Sequence, residues 1–262
     1  MKNKISIIGG GNMGTAILSG IQRKFAVSIC EKDAKRGQYL KKKFKVAVDD
    51  VQSVVTKSGV IILAVKPQDF DQILAEVRPF INKDKLVISI AAGIPTLYLE
   101  KRLGAKVRVI RTMPNLPAQI GEGMTGICKG KWASSADLSL ACKIFNNIGQ
   151  TVIVEEKWID AITAVSGSGP AYVFLFVECF IKAARALGFD EKQSKQLVAQ
   201  TIHGSLNLLE SQNEEAGVLR SRVTSKGGTT QAAMDVFFRR DIEGIFVEAL
   251  TAAQHRAKQL SK

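Results

Sequence analysis

The sequence predicts an α/β protein, with a doubly wound parallel sheet in its N-terminal half and an all-α C-terminal half. Three observations carry that prediction. The stretch KISIIGGGNMG (4–14) sets a short β-branched run before a glycine turn, and TAILSGI (15–21) follows with helical apolar spacing. Apolar runs of strand length then alternate with helical stretches as far as residue 154, the pattern of strands joined by crossover helices. From about Trp158 no further strand reads convincingly. The expected division is therefore 1–157 and 158–262. No linker-like stretch, low-complexity segment or internal repeat interrupts either half.

The first element carries chemistry. Gly9, Gly11 and Gly14 fall in the spacing G-x-G-x-x-G between a strand and a helix, the context that gives this motif meaning. The first glycine permits a tight turn, the second lets a pyrophosphate approach the backbone, and the third lets helix and strand pack closely. The helix N-terminus, at Asn12 and Met13, offers free N–H groups and a positive dipole end to phosphates. The first half thus reads as a Rossmann-type dinucleotide-binding domain. Strand two, AVSIC (26–30), ends at Glu31, about twenty residues past the turn, where an acid binds the ribose hydroxyls of NAD. Lys32 follows and could instead face a ribose 2′-phosphate. Glu31 would repel that phosphate, so the balance leans toward NADH, or use of both cofactors, over strict NADPH. A loop acid paired with a nearby lysine is the plainer alternative.

A helix is expected over 33–43, a short strand over 45–48, and a small helix capped by Asp49. VIILAV (60–65) is an uninterrupted apolar run, as in a central parallel strand buried on both faces. Ligands on open α/β sheets gather at the carboxyl ends of strands, so Ala64, Val65, Lys66 and Pro67 should line the cofactor site. LVISI (86–90) is the next such strand; the small Ala91, Ala92 and Gly93 after it leave space for a nicotinamide. Thr96 opens another helix, and VRVI (107–110) is a strand that leads into MPNLP (113–117). Closing strands are expected over 124–128 and 151–154, with a helix over 135–148 between them. The second half reads as helices over 170–187, 191–210, 214–222, 231–239 and 242–260. In the first of these, AYVFLFV (171–177) is apolar without a break, and a helix apolar all round must be buried. In so small a domain the cover is another subunit, which predicts an interlocked homodimer with a large obligate interface.

Bulk composition narrows the function classes. The apolar fraction of 46% supplies a substantial core. No apolar run approaches the roughly 18 residues of a membrane span, and the first strand begins too early for a signal peptide. Cys30, Cys128, Cys142 and Cys179 are scattered with no C-x-x-C pair, which suggests reduced thiols in the cytoplasm. His203 and His255 have no partner at metal-ligand spacing, so neither a metal site nor a Ser-His-Asp triad is expected. The net charge of +13 is spread along the chain, and its densest cluster, Lys41–Lys43, sits near the end of a helix. That distribution favours steering of anionic small molecules over nucleic-acid binding.

Two glycine-rich stretches of the helical half remain. VSGSGPA (165–171) is not G-x-S-x-G, so it is no nucleophile elbow; Pro170 suits a first helical position. VTSKGGTT (223–230) runs into a helix, with Gly227 and Gly228 exposing N–H groups and Thr229 and Thr230 as candidate caps. It reads either as a carboxylate site or as a capped helix and nothing more.

Taken together, GGGNMG, AVKP, SIAAG, RTMPN, SGSGPAY and TSKGGTT, in this order, resemble the pyrroline-5-carboxylate reductase family from Ile5 to about Ala253. The resemblance implies reduction of 1-pyrroline-5-carboxylate to L-proline with NADPH or NADH, the last step of proline biosynthesis. It also implies a helical dimerisation domain and dimers that often assemble into decamers. Carried over, it puts the pyrophosphate on 9–14 and the cofactor against Val65, Lys66, Pro67, Ala91 and Ala92. Ser225 and the amides of Gly228 and Thr229 would hold the substrate carboxylate. Thr230 would stand near the imine nitrogen as the catalytic hydroxyl, and Glu156 would lie beside the substrate. Three positions depart from the family pattern: Lys226 replaces a usual proline, Glu31-Lys32 replaces a Ser/Asn-Arg type of sequence, and Arg222 replaces a cofactor-touching asparagine. Two other readings fit the framework: a reductase of another small cyclic imine or 2-oxo acid, and a non-catalytic dinucleotide sensor.

Overall fold

The computed structural model describes residues 4–104 and 106–261. The chain divides into two compact units. One comprises the residues up to Pro170 together with those from Ala252 onward, and the other runs from Ala171 to Thr251.

The first unit is built on eight strands: β1 (Lys4–Ile8), β2 (Ala26–Cys30), β3 (Ala47–Val48), β4 (Val60–Leu63), β5 (Leu86–Ser89), β6 (Arg108–Met113), β7 (Gly123–Lys129) and β8 (Gly149–Ile153). They lie in the order β3-β2-β1-β4-β5-β6-β7-β8. All pairings are parallel except β6 with β7. The chain winds outward from β1 to β3, then returns to place β4 on the other side of β1. That reversal opens a crevice beyond the carboxyl ends of β1 and β4.

Two apolar layers hold the sheet. Side chains alternate along a strand, so Ile62, Ile88 and Ile110 join Ile17, Leu18, Ile21 and Phe145 on one face. Ile61, Leu63, Val87 and Val109 join Phe70, Leu74, Val77 and Leu99 on the other. The covering helices are α1 (Asn12–Ile21), α2 (Ala34–Phe44), α3 (Val51–Thr56), α4 (Phe70–Val77), α5 (Thr96–Leu103) and α6 (Ser135–Phe145). Their starts follow local chemistry: Asp33 accepts from the Arg36 amide, Asp50 from that of Ser53, and Ser134 forms a capping box with Asp137.

Several boundaries differ from the expected ones for identifiable reasons. Asp50, not Asp49, caps α3. The strand expected over 45–48 keeps only Ala47–Val48, because Lys45 takes a left-handed conformation (φ 55°) that ends α2. β8 begins two residues early, at Gly149 (φ 139°), where a Cβ would fall 1.9 Å from the Gly123 carbonyl oxygen. Only glycine permits that approach. The helix expected to 148 stops at Phe145.

Residues 156–186 form one helical stretch: a 3₁₀ turn, α7 (Ile159–Ile162), a π-helical segment at Thr163–Gly167, and α8 (Gly169–Ala186). By length and composition it is long and apolar enough to cross a membrane, although no unbroken apolar run within it approaches that length. The second unit continues with α9 (Glu191–Gln212), α10 (Ala216–Arg222), α11 (Thr229–Arg239) and the greater part of α12 (Ile242–Leu260). Among its described residues only Ala184, Ser194 and Val198 are buried. On α8, Val173, Phe174, Leu175 and Phe176 are each about half exposed or more. A bundle with so little interior does not offset the entropy of ordering its chain. Its apolar faces require a covering surface.

The sheet unit should behave as an ordinary close-packed core. Ile62→Ala, at a fully buried position of β4, is expected to cost about 2–5 kcal/mol, read from the midpoint of denaturant unfolding.

Candidate functional site

The glycine turn sets the geometry at the crevice. A Cβ on Gly9 (φ 106°) would fall 2.5 Å from the Ala64 carbonyl oxygen, and one on Gly14 would fall 2.0 Å from that of Gly9. These two glycines let the start of α1 sit directly on the ends of β1 and β4. Beside Gly11 a Cβ would meet nothing within 4 Å, so that glycine faces open space. Gly11 is also the N-cap of α1, and no side chain caps that helix. The amides of its first turn therefore keep their hydrogen-bonding capacity, the arrangement that binds pyrophosphate.

A cleft of about 850 Å³ opens at this point. Of the residues expected at the cofactor, Gly9, Gly11, Glu31, Lys32, Ala64, Val65 and Lys66 line it. Asn12, Met13, Gly14, Pro67, Ala91 and Ala92 are not among its lining residues. Pro67 instead starts a 3₁₀ turn, and Gly14 and Ala91 are buried. Sequence reading missed Asp50, Gln52, Gln72, Glu76 and Phe80, which also line the cleft. They come from α3, α4 and the turn after α4, and no local spacing marks them as ligand-facing.

The cleft's electrostatics are acidic at one end. The Glu31 carboxylate accepts a 2.6 Å hydrogen bond from the Gly10 amide and one from the Asp33 amide. Lys32 points outward and pairs with Asp69 at 3.6 Å, both groups being well exposed. The pairing of a loop acid with a nearby lysine therefore joins Lys32 to Asp69, not to Glu31. The Cys30 thiol registers the local field. Burial first, then Glu31, Glu76 and Asp50, push it up to about 11. Arg36, which no sequence motif marks, donates from Nε to the Gly10 carbonyl at 2.9 Å and from Nη2 to Thr15 Oγ1 at 2.9 Å. It clamps the glycine loop to α2.

The second glycine loop lies in the helical unit. Gly227 is left-handed (φ 72°), and a Cβ on Gly228 would fall 2.4 Å from Ser225 Oγ. The left-handed backbone at Gly227 favours glycine, and a side chain at Gly228 would require the Ser225 hydroxyl to move aside. The Gly228 amide donates to the Ser225 carbonyl at 3.0 Å and closes the turn, so it is not free for a carboxylate as expected. Gly228, not a threonine, is the N-cap of α11, and no side chain caps the helix. Thr229 and Thr230 instead occupy its first turn, where backbone amides lack intrahelical acceptors. Ser225 and Thr229 are exposed and Thr230 is half-buried. Arg222 is engaged by Glu214 at 2.7 Å and Gln212 at 3.2 Å.

Glu156 has both carboxylate oxygens occupied. Oε1 accepts from the Thr96 amide at 2.7 Å and from Arg111 Nη1 at 3.3 Å, and Oε2 accepts from Thr96 Oγ1 at 2.6 Å. Among the described residues no group of three His, Cys, Asp or Glu side chains could hold a metal ion.

The comparisons with known proteins agree with one another. Residues 156–260 match the family model for pyrroline-5-carboxylate reductase dimerisation, and residues 4–93 match that for coenzyme F420-dependent NADP oxidoreductases. The chain is 37% identical over 268 residues to the pyrroline-5-carboxylate reductase of a Synechocystis species, covering 100% of both chains. It is similar to the solved pyrroline-5-carboxylate reductase of Coxiella burnetii, with a TM-score of 0.93 and 34% identity over 100% of both chains. It is also similar to a Plasmodium falciparum pyrroline carboxylate reductase solved with NADP bound, with a TM-score of 0.89 and 29% identity over 99% of this chain and 98% of the other. Similarity of that degree runs from the glycine turn through the last helix, and the chain belongs to the pyrroline-5-carboxylate reductase family.

Proposed function

We propose that this protein is an NAD(P)H-dependent reductase that converts 1-pyrroline-5-carboxylate to L-proline in the cytoplasm, completing proline biosynthesis. The observation that carries the reading is the pairing, in one chain, of an uncapped helix on a glycine turn with a second uncapped helix on a glycine loop. The first suits a pyrophosphate and the second a small carboxylate.

When bound, the reduced nicotinamide supplies a hydride to C5 of the cyclic imine, and the nitrogen takes up a proton. The chain contributes positioning. The amides at Gly11, Asn12 and Met13 would hold the pyrophosphate, Val65, Lys66 and Pro67 would contact the dinucleotide, and Ala91 and Ala92 would bound its nicotinamide end. Ser225 Oγ and the free amides at the start of α11 hold the substrate carboxylate. The Thr230 hydroxyl supports the imine nitrogen. With no histidine in this machinery, the substrate binds as the iminium or receives its proton through water held by Thr230.

Glu31, Asp50, Asp69 and Glu76 all line the cleft with two cations, Lys66 and Lys32, the latter paired with Asp69. A ribose 2′-phosphate entering among those carboxylates is disfavoured, which supports NADH as the better cofactor. The bare apolar face of α8 supports a homodimer built through residues 156–260, and a decamer of such dimers is the larger assembly we infer. A sensor without turnover is the competing reading; steady-state assays decide between them, since a sensor binds dinucleotide and never reduces the imine.

Side-by-side assays with 1-pyrroline-5-carboxylate are expected to give a higher kcat/KM with NADH than with NADPH. Glu31→Ser should move that ratio toward NADPH by roughly tenfold, the equivalent of about 1.4 kcal/mol. Thr230→Ala should lower kcat while leaving dinucleotide affinity, measured by fluorescence titration, unchanged. Leu175→Asp, on the exposed face of α8, should shift the sedimentation profile toward monomer and lower the thermal midpoint.

A further inference from the structure

The loop between β5 and α5 carries Ala91 and Ala92, and it is braced from three directions. At its start, Thr112 Oγ1 on β6 donates to the Ser89 carbonyl at 3.0 Å. In its middle, Gly93 (φ 71°) lies so close to the end of α12 that a Cβ would fall 2.5 Å from the Leu260 carbonyl oxygen. At its end, α5 has Pro95 as its N-cap, and that residue offers no side-chain cap. Glu156 supplies the cap from 60 residues away, holding both the amide and the hydroxyl of Thr96. The carboxylate also favours the positive end of the helix.

Glu156 is itself held by charge. Arg111, 3% exposed, reaches Glu156 with Nη1 and Asp160 with Nη2, each at 3.3 Å. A buried guanidinium between two carboxylates fixes both, because removing either acid leaves a buried cation short of a partner.

We propose that Glu156 is a positioning residue: it acts through Thr96, anchored by Arg111 and Asp160, to hold the Ala91–Ala92 loop where the nicotinamide must lie. This rests on the reductase reading above. It departs from direct substrate contact, since three of the roughly four acceptor sites of the carboxylate are already taken. Glu156 touches neither reacting atom in this scheme. Displacement of the loop by as little as an ångström would cost turnover while leaving the carboxylate and pyrophosphate contacts intact.

The test pairs Glu156→Gln with Thr96→Val and Thr96→Ser in the full-length protein. Hydrogen exchange is followed in peptides spanning 90–97, alongside kcat, KM for the imine, and NADH affinity. Thr96→Val guards against Glu156→Gln failing to fold because Arg111 is left unpaired. The expected result is faster exchange over 90–97 in Glu156→Gln and Thr96→Val. Their kcat should fall roughly 10–100-fold with KM for the imine and NADH affinity within about threefold of the parent, and Thr96→Ser should restore both readouts. A rise in KM with kcat preserved would overturn the proposal in favour of direct substrate contact. Faster exchange with unchanged kcat per folded site would overturn it as well, leaving a purely structural cap, and unchanged exchange would show that Glu156 does not hold the loop. If the parent itself shows no turnover, the reductase reading fails, while exchange over 90–97 still decides whether Glu156 holds the loop.

Discussion

The contact on which the cofactor crevice depends is between backbone and backbone. Gly14, in the first turn of α1, stands so near the Gly9 carbonyl that no side chain fits between them, and Gly9 packs closely against the Ala64 carbonyl just past β4. Much follows from that contact. It brings a helix start, one that no side chain caps, onto the switch point of the sheet, at the edge of the cleft. Arg36 then ties the same loop to α2 through the Gly10 carbonyl, while Glu31 ties it to the end of β2 through the Gly10 amide. Three elements are thus locked to a loop of six residues, and the cleft inherits its rigidity from them.

What was legible in the sequence was what is local. The runs at 60–63 and 86–89 are apolar without alternation because both faces of β4 and β5 are covered, and their burial is complete. The glycine spacing was legible because each glycine answers a steric demand within a few residues. The less legible features are those whose cause lies far along the chain. Glu156 caps a helix 60 residues away, and nothing in the run 155–158 announces it. The Gly228 amide is consumed by a turn whose need for it depends on the left-handed Gly227, so residue type alone did not reveal the bond. Asp50 and Glu76 face the cleft only because α3 and α4 are wound on the side where the sheet opens.

The helical unit inverts the usual relation between core and surface. Its longest helix, α9, starts on a full capping box closed by Asp190, yet few of the unit's described side chains are buried within one chain. The local signals specify helices, and the apolar surface specifies company. Stability of that unit is then inseparable from protomer concentration, as for any assembly whose subunits complete each other's interior.

The sheet unit is discontinuous in sequence: it is made of the residues up to Pro170 and those from Ala252 onward, and the backbone at Leu260 rests on Gly93. The helical unit is in effect an insertion within it. On the ribosome, the strands emerge and pair long before their last buttress is synthesised, so the loop at Gly93 waits for the whole insertion to be translated and folded. Closing contacts of such high sequence separation is slow. Assembly order is thereby written into the chain: the sheet forms early, and the loop at Gly93 gains its contact with Leu260 only after the helical unit has been made.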